Sequence, residues 1–196
     1  MWPPCDADPR EQANQANPLI ADANKLGSGT YTGNINFLEN TTNTIGAFLA
    51  SATPAGTLSA GLLTPAVQNA VLSTAPFAVT TVLVIKGTTA DILAGTITHD
   101  DGMSLYNGPG FSNLVAGSAA PTVAIPTAFA GLTGDWELIY VEANGLPADL
   151  IFDVTRDEAP PPTPLPAAVW LMGSVLAGAA GFGRWRRKRA TQAIAA

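Results

Sequence analysis

The chain has 196 residues, of which 47% are hydrophobic and 12% are charged, about half the usual share of charge. This composition argues against a disordered acidic tail and against a charge-rich helical bundle. A single cysteine and a single histidine exclude an internal disulfide and a zinc cage built from Cys or His clusters. The 19 glycines and 16 prolines favour a turn-rich β protein.

The formal net charge of −6 is distributed unevenly along the chain. Residues 184–196 hold five of the nine basic residues and no acid, whereas residues 1–183 hold four basic and fifteen acidic residues. A body this acidic repels phosphate backbones. We therefore expect no nucleic-acid partner.

Residues 1–27 form a polar N-terminal segment that contains three asparagines and four prolines. The segment has neither the basic n-region nor the apolar h-region of a secretory signal peptide. We expect this segment to be separate from a domain that begins at residue 28.

Residues 28–157 predict a β domain, because apolar and polar residues alternate repeatedly and no long helical period stands out. The predicted strands lie at 31–37, 77–85, 92–98, 136–142 and 150–154. Turn signals separate them at Asp101-Gly102, Asn107-Gly108-Pro109-Gly110 and Asn144-Gly145. Residues 45–72 are ambiguous, and a short helix there is compatible with the pattern. Short strands with glycine turns predict an antiparallel β-sandwich that is jelly-roll-like.

Three segments of different composition follow the β domain. Residues 158–166 contain five prolines, which predicts an extended, semi-rigid linker. Residues 167–183 carry no charge, and at ~1.5 Å per residue they form a helix of about 25 Å, at the short end of a bilayer span. Residues 184–196 form a basic tail.

The basic residues of the tail resemble a stop-transfer block, and the positive-inside rule places them in the cytoplasm. The block consists of Arg184, Arg186, Arg187, Lys188 and Arg189. We expect the N-terminal domain to lie outside the cytoplasm and the helix to contact membrane lipid. The alternative is a buried core helix followed by a solvated basic tail.

The C-terminal segments resemble the PEP-CTERM class of sorting signals, and more narrowly its VPLPA variant. The resemblance rests on Pro164, Leu165, Pro166 and Ala167, which open a Trp- and Gly-containing helix that closes in arginines. Thr163 stands where the variant usually has Val. In this family an exosortase, a membrane-embedded cysteine protease-transpeptidase, processes the signal, and members are exported by Gram-negative bacteria that often make extracellular polysaccharide. Members begin with a signal peptide, so we expect the true start of this chain to lie upstream of Met1.

A second resemblance covers about fifty residues of the β domain. The segments 95–106 and 140–145 are similar to sugar-binding sandwich domains of the protective-antigen and yeast-adhesin type. Those domains show an Asp-Asp-Gly turn and a later Tyr-x-Glu-x-x-Gly segment. In the lectin members the paired aspartates bind calcium, which in turn holds sugar hydroxyls.

The best candidate ligands for a metal are Asp100 and Asp101, with the amide oxygen of Asn107 as a third donor. Calcium takes six to eight hard oxygens, which carboxylates, carbonyls and waters on a loop supply. The alternative needs no metal: Asp100 caps the turn, and Asp101-Gly102 forms a tight β-turn.

Other residues carry weaker signals for chemistry. His99 beside Asp100 is a candidate acid–base group, although a lone histidine at a strand end is usually a surface or capping residue. Glu142 and Asp149 are candidates for a glycosidase carboxylate pair, or ordinary solvated residues. Trp136 and Tyr140 share one strand face, and the alternation favours core packing over sugar stacking.

The sequence therefore predicts a non-enzymatic, exported cell-envelope protein with a membrane-anchored sorting signal. Its predicted partners are membrane lipid, an exosortase and extracellular polysaccharide. The alternative function is a calcium-dependent carbohydrate-binding adhesin, with calcium as its cofactor.

Overall fold

A computed structural model describes residues 8–75, 78–118 and 123–156. These residues belong to one compact unit that ends at Asp157. The predicted linker (158–166), transmembrane helix (167–183) and basic tail (184–196) lie outside the described residues. Within the described ranges, no helix has both the length and the apolar character needed to cross a bilayer.

The described chain is mainly β and its strands pair antiparallel, which confirms the predicted fold class at that level. Six strands form one sheet in the order β2-β8-β4-β7-β5-β6, and β1 pairs with β3 in a small separate sheet. The strands are β1 Tyr31–Thr32, β2 Asn36–Glu39, β3 Thr57–Leu58, β4 Thr81–Asp100, β5 Gly102–Asn107, β6 Asn113–Ser118, β7 Ile125–Glu142 and β8 Ala148–Arg156.

Strand β4 corrects one prediction, because residues 81–85 and 92–98, which were expected in two separate strands (77–85 and 92–98), belong to a single strand. Residues 86–91 fell outside both predicted strands. Instead, β4 pairs with β7 along almost its whole length, and the ladder is interrupted only by register shifts between Thr89 and Gly95. Bulges of this kind bend a strand without ending it.

The bend divides the sheet into two parts. Residues 93–100 of β4 pair with β8, which in turn pairs with β2; we call this part the β8 half-sheet. Residues 134–142 of β7 pair with the first half of β4, and β5 pairs with 136–141 on the other side; we call this part the β5 half-sheet. The chain passes from one half to the other where β4 ends and β5 begins.

Both half-sheets contribute to one hydrophobic core. The β8 half-sheet supplies Ile97 and Leu150, and the β5 half-sheet supplies Met103 and Leu138, all of them fully buried. Tyr140 also belongs to this core, and Trp136 is partly buried and packs against it, which agrees with the expectation that core packing is favoured for both. Burial of large apolar side chains is the main stabilising contribution to such a domain.

Two short helices close the core, as the ambiguous stretch 45–72 allowed. Helix α1 (Ile45–Ala50) begins at Thr44, whose side chain accepts a hydrogen bond from the Ala47 amide. Helix α2 (Pro65–Gln68) begins at Thr64 in the same way. Their buried side chains are Ile45, Phe48, Leu49 and Val67, so each helix covers the core with one face.

The N-terminal segment packs against the sheet. From Asp8 to Asn24 it forms three single-turn 3-10 helices, each of three residues. Ala13 packs with Val141 and Val82 on the face of the β5 half-sheet opposite the main core. The Gln15 side chain donates hydrogen bonds to the Phe111 carbonyl and to Glu137 Oε1, both at 3.0 Å. The segment is therefore held on the sheet by a small apolar contact at Ala13 and by the hydrogen bonds of Gln15.

Candidate functional site

The candidate site lies where the chain crosses between the half-sheets. Asp100 is the last residue of β4 and Gly102 is the first of β5, so Asp101 alone connects them. The Asp100–Asp101 peptide bond is cis. Both aspartates are buried, with relative exposures of 4% and 1%. We call the group Asp100, Asp101, Glu142 and Asp149 the acidic corner.

The Asp101 carboxylate is fixed by one of its two oxygens. Oδ2 accepts hydrogen bonds from the backbone amides of Ala143, at 2.7 Å, and Asn144, at 3.1 Å. These amides follow β7 directly, so the bonds join the β4–β5 connection to the β7–β8 loop. Oδ1 is buried and has no hydrogen-bond partner among the described residues.

His99 is fully buried, so the expectation of a surface histidine is wrong. Its Nδ1 lies 2.5 Å from the Asp101 carbonyl oxygen, and its Nε2 lies 2.8 Å from Thr127 Oγ1. A carbonyl only accepts, so Nδ1 carries the proton and Nε2 accepts from the threonine hydroxyl. Burial lowers the His99 pKa, which favours this neutral form. His99 therefore positions Asp101.

Tyr140 and Glu142 form a second buried connection to the corner. The Tyr140 hydroxyl contacts both the Asp100 carbonyl oxygen and, at 2.9 Å, Glu142 Oε2. Ser73 Oγ donates to Glu142 Oε1 at 2.7 Å and accepts from the Gly145 amide at 3.0 Å.

The phenol has one proton and faces two oxygen atoms, so both contacts are hydrogen bonds only if one oxygen brings its own proton. The Asp100 carbonyl cannot do so. A protonated Glu142 can, by donating from Oε2 to Tyr140 while Tyr140 donates to Asp100. Glu142 is therefore a neutral acid in this arrangement. Hydrogen bonds then run without a break from the Gly145 amide through Ser73, Glu142 and Tyr140 to the Asp100 carbonyl.

The electrostatics of the corner agree with this assignment. Burial, followed by the charge of Asp101, raises the pKa of Glu142 to about 9. The same two causes raise the pKa of Asp100 to about 7. Burial also raises the pKa of Asp101 and of Asp149. Four carboxyl groups thus share a poorly solvated region in which full ionisation is unfavourable.

Asp149 joins the corner from strand β8. It is the cross-strand partner of Asp100 in the β4–β8 ladder, so the two side chains lie on the same face with Cβ atoms about 5 Å apart. Its Oδ1 is buried and unpartnered. Among the described residues, Asp101 Oδ1 and Asp149 Oδ1 are the two buried side-chain atoms without a hydrogen-bond partner.

Asn107, the third predicted calcium ligand, does not lie at the corner. It ends β5, and five strand steps of ~3.3 Å separate it from Gly102 by about 17 Å. Its Oδ1 accepts a hydrogen bond from Asn113 Nδ2 at 2.7 Å. Nearby, a shallow depression of about 320 Å³ is lined by residues 108–111 and 133–135. Asn107 cannot ligate an ion held by Asp100 and Asp101, which corrects the predicted ligand set.

Glu142 and Asp149 are not ordinary solvated residues. Glu142 is fully buried and Asp149 is partly buried, since the corner encloses both. Sequence reasoning recognised the two as a possible pair but missed Ser73 and the link to Asp100. The spacing Tyr140-x-Glu142 was the available signal, because alternate strand residues share a face.

The corner presents the donor types that a hard cation prefers. Asp100 and Asp101 supply carboxylate oxygens, one of which, Asp101 Oδ1, is desolvated and has no hydrogen bond. In the part of the chain that the structure describes, no three His, Cys, Asp or Glu side chains already surround a common point as metal ligands do. An ion at this corner would therefore rely on two aspartates, with water and carbonyl oxygens completing its coordination.

No family model, curated protein sequence or solved structure matches the chain in comparisons with known proteins.

Proposed function

We propose that the chain is an exported cell-envelope protein whose C-terminal segment is a PEP-CTERM sorting signal of the VPLPA type, processed by an exosortase. The observation that carries the proposal is the order of segments in 158–189: a proline-rich stretch with Pro164-Leu165-Pro166-Ala167, an uncharged run and a basic block. The β domain supports it, because its last strand ends at Arg156, directly before the proline-rich stretch.

In this function the β domain, a jelly-roll-like sandwich, is displayed outside the cytoplasm. The helix at 167–183 holds it transiently at the membrane, and the five basic residues of the tail stay on the cytoplasmic side. The proline-rich spacer keeps the cleavage site accessible. The displayed domain acts at the surface or in the extracellular matrix, where polysaccharide is its partner, and it is not an enzyme.

The experiment expresses the full chain behind a secretory leader in a bacterium that encodes an exosortase. We expect the precursor in the membrane fraction and a mature protein whose mass lacks the residues that follow the sorting motif. The matched variant Leu165→Ala with Pro166→Ala keeps the helix and the basic block, so it should stay in the membrane at full mass. Recovery of the uncleaved wild-type chain in the soluble fraction would contradict the proposal.

A second candidate function, calcium-dependent carbohydrate binding, is favoured by one specific observation. Asp101 is 1% exposed, and its Oδ1 has no hydrogen-bond partner in the described residues. A buried carboxylate oxygen without a partner costs free energy, and a bound cation removes this cost. Calcium fits the hard donors Asp100 and Asp101, and when bound it would offer open coordination positions to sugar hydroxyls.

The variant Asp101→Asn tests this function more sharply than an alanine does. The Asn amide oxygen still accepts from the Ala143 and Asn144 amides, so the loop stays in place, but the charged ligand is lost. We expect calorimetry of the full chain in detergent to show calcium binding that is lost in D101N. The control Asp153→Asn removes a charge from the exposed part of β8 and should bind as wild type does.

Sugar binding is measured separately on a glycan array. Binding by the wild-type chain should disappear on addition of a chelator, and D101N should show no binding with calcium present. Calcium binding without any glycan signal would leave a structural cation site and reject the adhesin function.

A further inference from the structure

The shallow depression of about 320 Å³ beside Asn107 has two walls from different parts of the chain. Residues 108–111, which follow β5, form one wall, and residues 133–135 of β7 form the other. The walls are adjacent because Asn107 and Trp136 are cross-strand partners at the end of the β5–β7 ladder. The volume lies at the lower end of the range of ligand pockets.

Phe111 lines the depression in a backbone conformation that is unusual for an aromatic residue. Its φ of 56° lies in the left-handed region, where the Cβ of a residue other than glycine is crowded. Among the described residues, the other non-glycine residue with a positive φ is Asn43, and asparagine tolerates this region. Residues strained in this way cluster at functional sites.

Three contacts hold Phe111 in this conformation. Its amide donates to the Gly108 carbonyl at 3.0 Å, and its carbonyl accepts from the Gln15 side chain at 3.0 Å. The Lys86 ammonium lies 4.8 Å from the centre of the ring and is itself paired with Glu137 at 2.9 Å. Phe111 is only half-buried, so an aromatic side chain is fixed in advance at a place that solvent still reaches.

The opposite wall supplies hydrogen-bonding groups. Thr133, Gly134 and Asp135 are exposed, and Thr133 lies where the β4–β7 register shifts. Asp135 belongs to none of the ion pairs among the described residues, so both of its carboxylate oxygens are available to hydroxyl donors. The space between the walls is open, since a methyl group at Gly110 or Gly134 would meet no other atom within 4 Å.

The chemistry of the two walls favours a neutral ligand with several hydroxyl groups. The carboxylate of Asp135 disfavours an anion, and the ammonium of Lys86 beside the ring disfavours a cation. A sugar ring fits both walls, because its apolar C–H face packs on an aromatic ring while its hydroxyl groups donate to a carboxylate.

We infer that the depression binds a neutral sugar unit of a polysaccharide, with Phe111 as the stacking surface and Asp135 as the acceptor of its hydroxyl groups. The inference rests on the surface function proposed above and deepens it, since it names the class of glycan and the residues that contact it. The calcium-dependent candidate function places the sugar at the acidic corner instead. The two assignments therefore predict opposite effects of EDTA.

The test applies the full chain, in detergent with EDTA, to a glycan array that carries neutral hexose, N-acetylhexosamine and uronic-acid oligosaccharides. EDTA removes calcium from the acidic corner, so the binding that remains belongs to another site. We expect the wild type to bind neutral glycans and to bind uronic-acid glycans more weakly. Calorimetry with the neutral oligosaccharide that gives the strongest array signal then measures the dissociation constant.

The variant Phe111→Gly removes the ring and lets the loop keep its backbone, because glycine adopts a positive φ without steric cost. We expect F111G to bind the neutral oligosaccharide about tenfold more weakly, the loss that corresponds to one aromatic contact. Phe111→Trp keeps an aromatic surface and should stay within about threefold of the wild type. Asp135→Ala removes the hydroxyl acceptor and should also weaken binding about tenfold.

Two variants outside the depression serve as controls. Asp153→Ala removes an exposed carboxylate from β8, and Leu63→Ala truncates an apolar side chain that is 54% exposed. Both should bind within about twofold of the wild type, since neither residue lines the depression. Far-UV circular dichroism checks that each variant is folded.

The outcomes separate the inference from the function on which it rests. Binding of neutral glycans in EDTA that both F111G and D135A weaken would support the inference. Binding that EDTA abolishes, or that either variant leaves undiminished, would overturn it, and equal binding of uronic-acid glycans would overturn the assigned ligand class. A chain that is processed as proposed but binds no glycan would overturn the inference and leave the sorting function in place. A chain that binds as expected but is not processed would overturn the sorting function alone.

Discussion

Replacing Glu142 by glutamine should make the domain more stable than wild type at about pH 8, although the residue is fully buried and hydrogen-bonded. Glutamine imitates the protonated acid: its amide nitrogen donates to Tyr140, and its carbonyl oxygen accepts from Ser73. The variant keeps the hydrogen bonds. It also removes the free-energy cost of keeping Glu142 protonated in the folded protein at a pH well above the ordinary pKa of a glutamate. We expect a gain of a few kcal/mol, the scale of a pKa shift of several units.

The sign follows from the pKa values of the folded and unfolded chain. The Glu142 pKa is about 9 in the folded protein against 4.5 ordinarily, so between these values the folded state binds more protons than the unfolded state. Its contribution to stability is fully present below about pH 4.5 and is lost as the pH rises through about 9, at up to about 1.4 kcal/mol per pH unit. Asp100 acts in the same direction up to about pH 7.

Urea unfolding followed by circular dichroism, in detergent with EDTA, measures this dependence. From about pH 7.5 to about pH 8.5 the wild-type free energy of unfolding should fall by about 1 kcal/mol, while that of E142Q should stay nearly level. The control Glu137→Gln alters a buried carboxylate on the same strand that pairs with Lys86 at 2.9 Å, and it should keep the wild-type slope. Parallel slopes for wild type and E142Q would show that Glu142 is ionised in the folded protein.

Replacing Phe48 by alanine should cost about 3–5 kcal/mol of unfolding free energy. The Phe48 ring is fully buried between Phe37, at 5.3 Å, and Tyr140, at 5.7 Å with nearly parallel planes. Helix α1 has only six residues, too few to be stable without tertiary contacts. Truncating Phe48 therefore leaves a cavity in the core and also removes the main contact that holds helix α1.

The same urea titration measures this loss, with Leu38→Ala as the control. Leu38 lies on β2 with 48% exposure, so its truncation should cost less than about 1 kcal/mol. A small effect of F48A would mean that the core closes around the missing ring. Because Phe48 stacks on Tyr140, F48A should also weaken calcium binding if the acidic corner depends on the Tyr140 position.

The elements recovered from the sequence are those with local signals. The Asn107-Gly108-Pro109-Gly110 and Asn144-Gly145 turns lie between strands as predicted, because glycine and asparagine determine turn geometry over a few residues. The strand at 136–142 was found from its apolar residues. The join between 77–85 and 92–98 was missed, since continuity there comes from pairing with β7, about fifty residues away.

The residues of the candidate site also divide into those with a local signal in the sequence and those that only distant pairings bring together. Asp100 and Asp101 were recognised because adjacent carboxylates before a glycine are visible in the sequence. Asn107 was added because it is near in sequence, but the extended β5 carries it about 17 Å away. Ser73 and its bond to Glu142 could not be foreseen, because 69 residues separate them.

The amino-acid sequence by itself determined that this chain is turn-rich and mainly β, has a single cysteine, and carries proline-rich, apolar and basic segments in residues 158–196. Each of these properties depends on composition or on neighbours a few residues apart. Only the tertiary structure decided that His99 and Glu142 are buried and that Asp149 faces Asp100. The reason is that burial and cross-strand register arise from pairings between distant strands, which displace water from carboxyl groups that are ordinary in isolation.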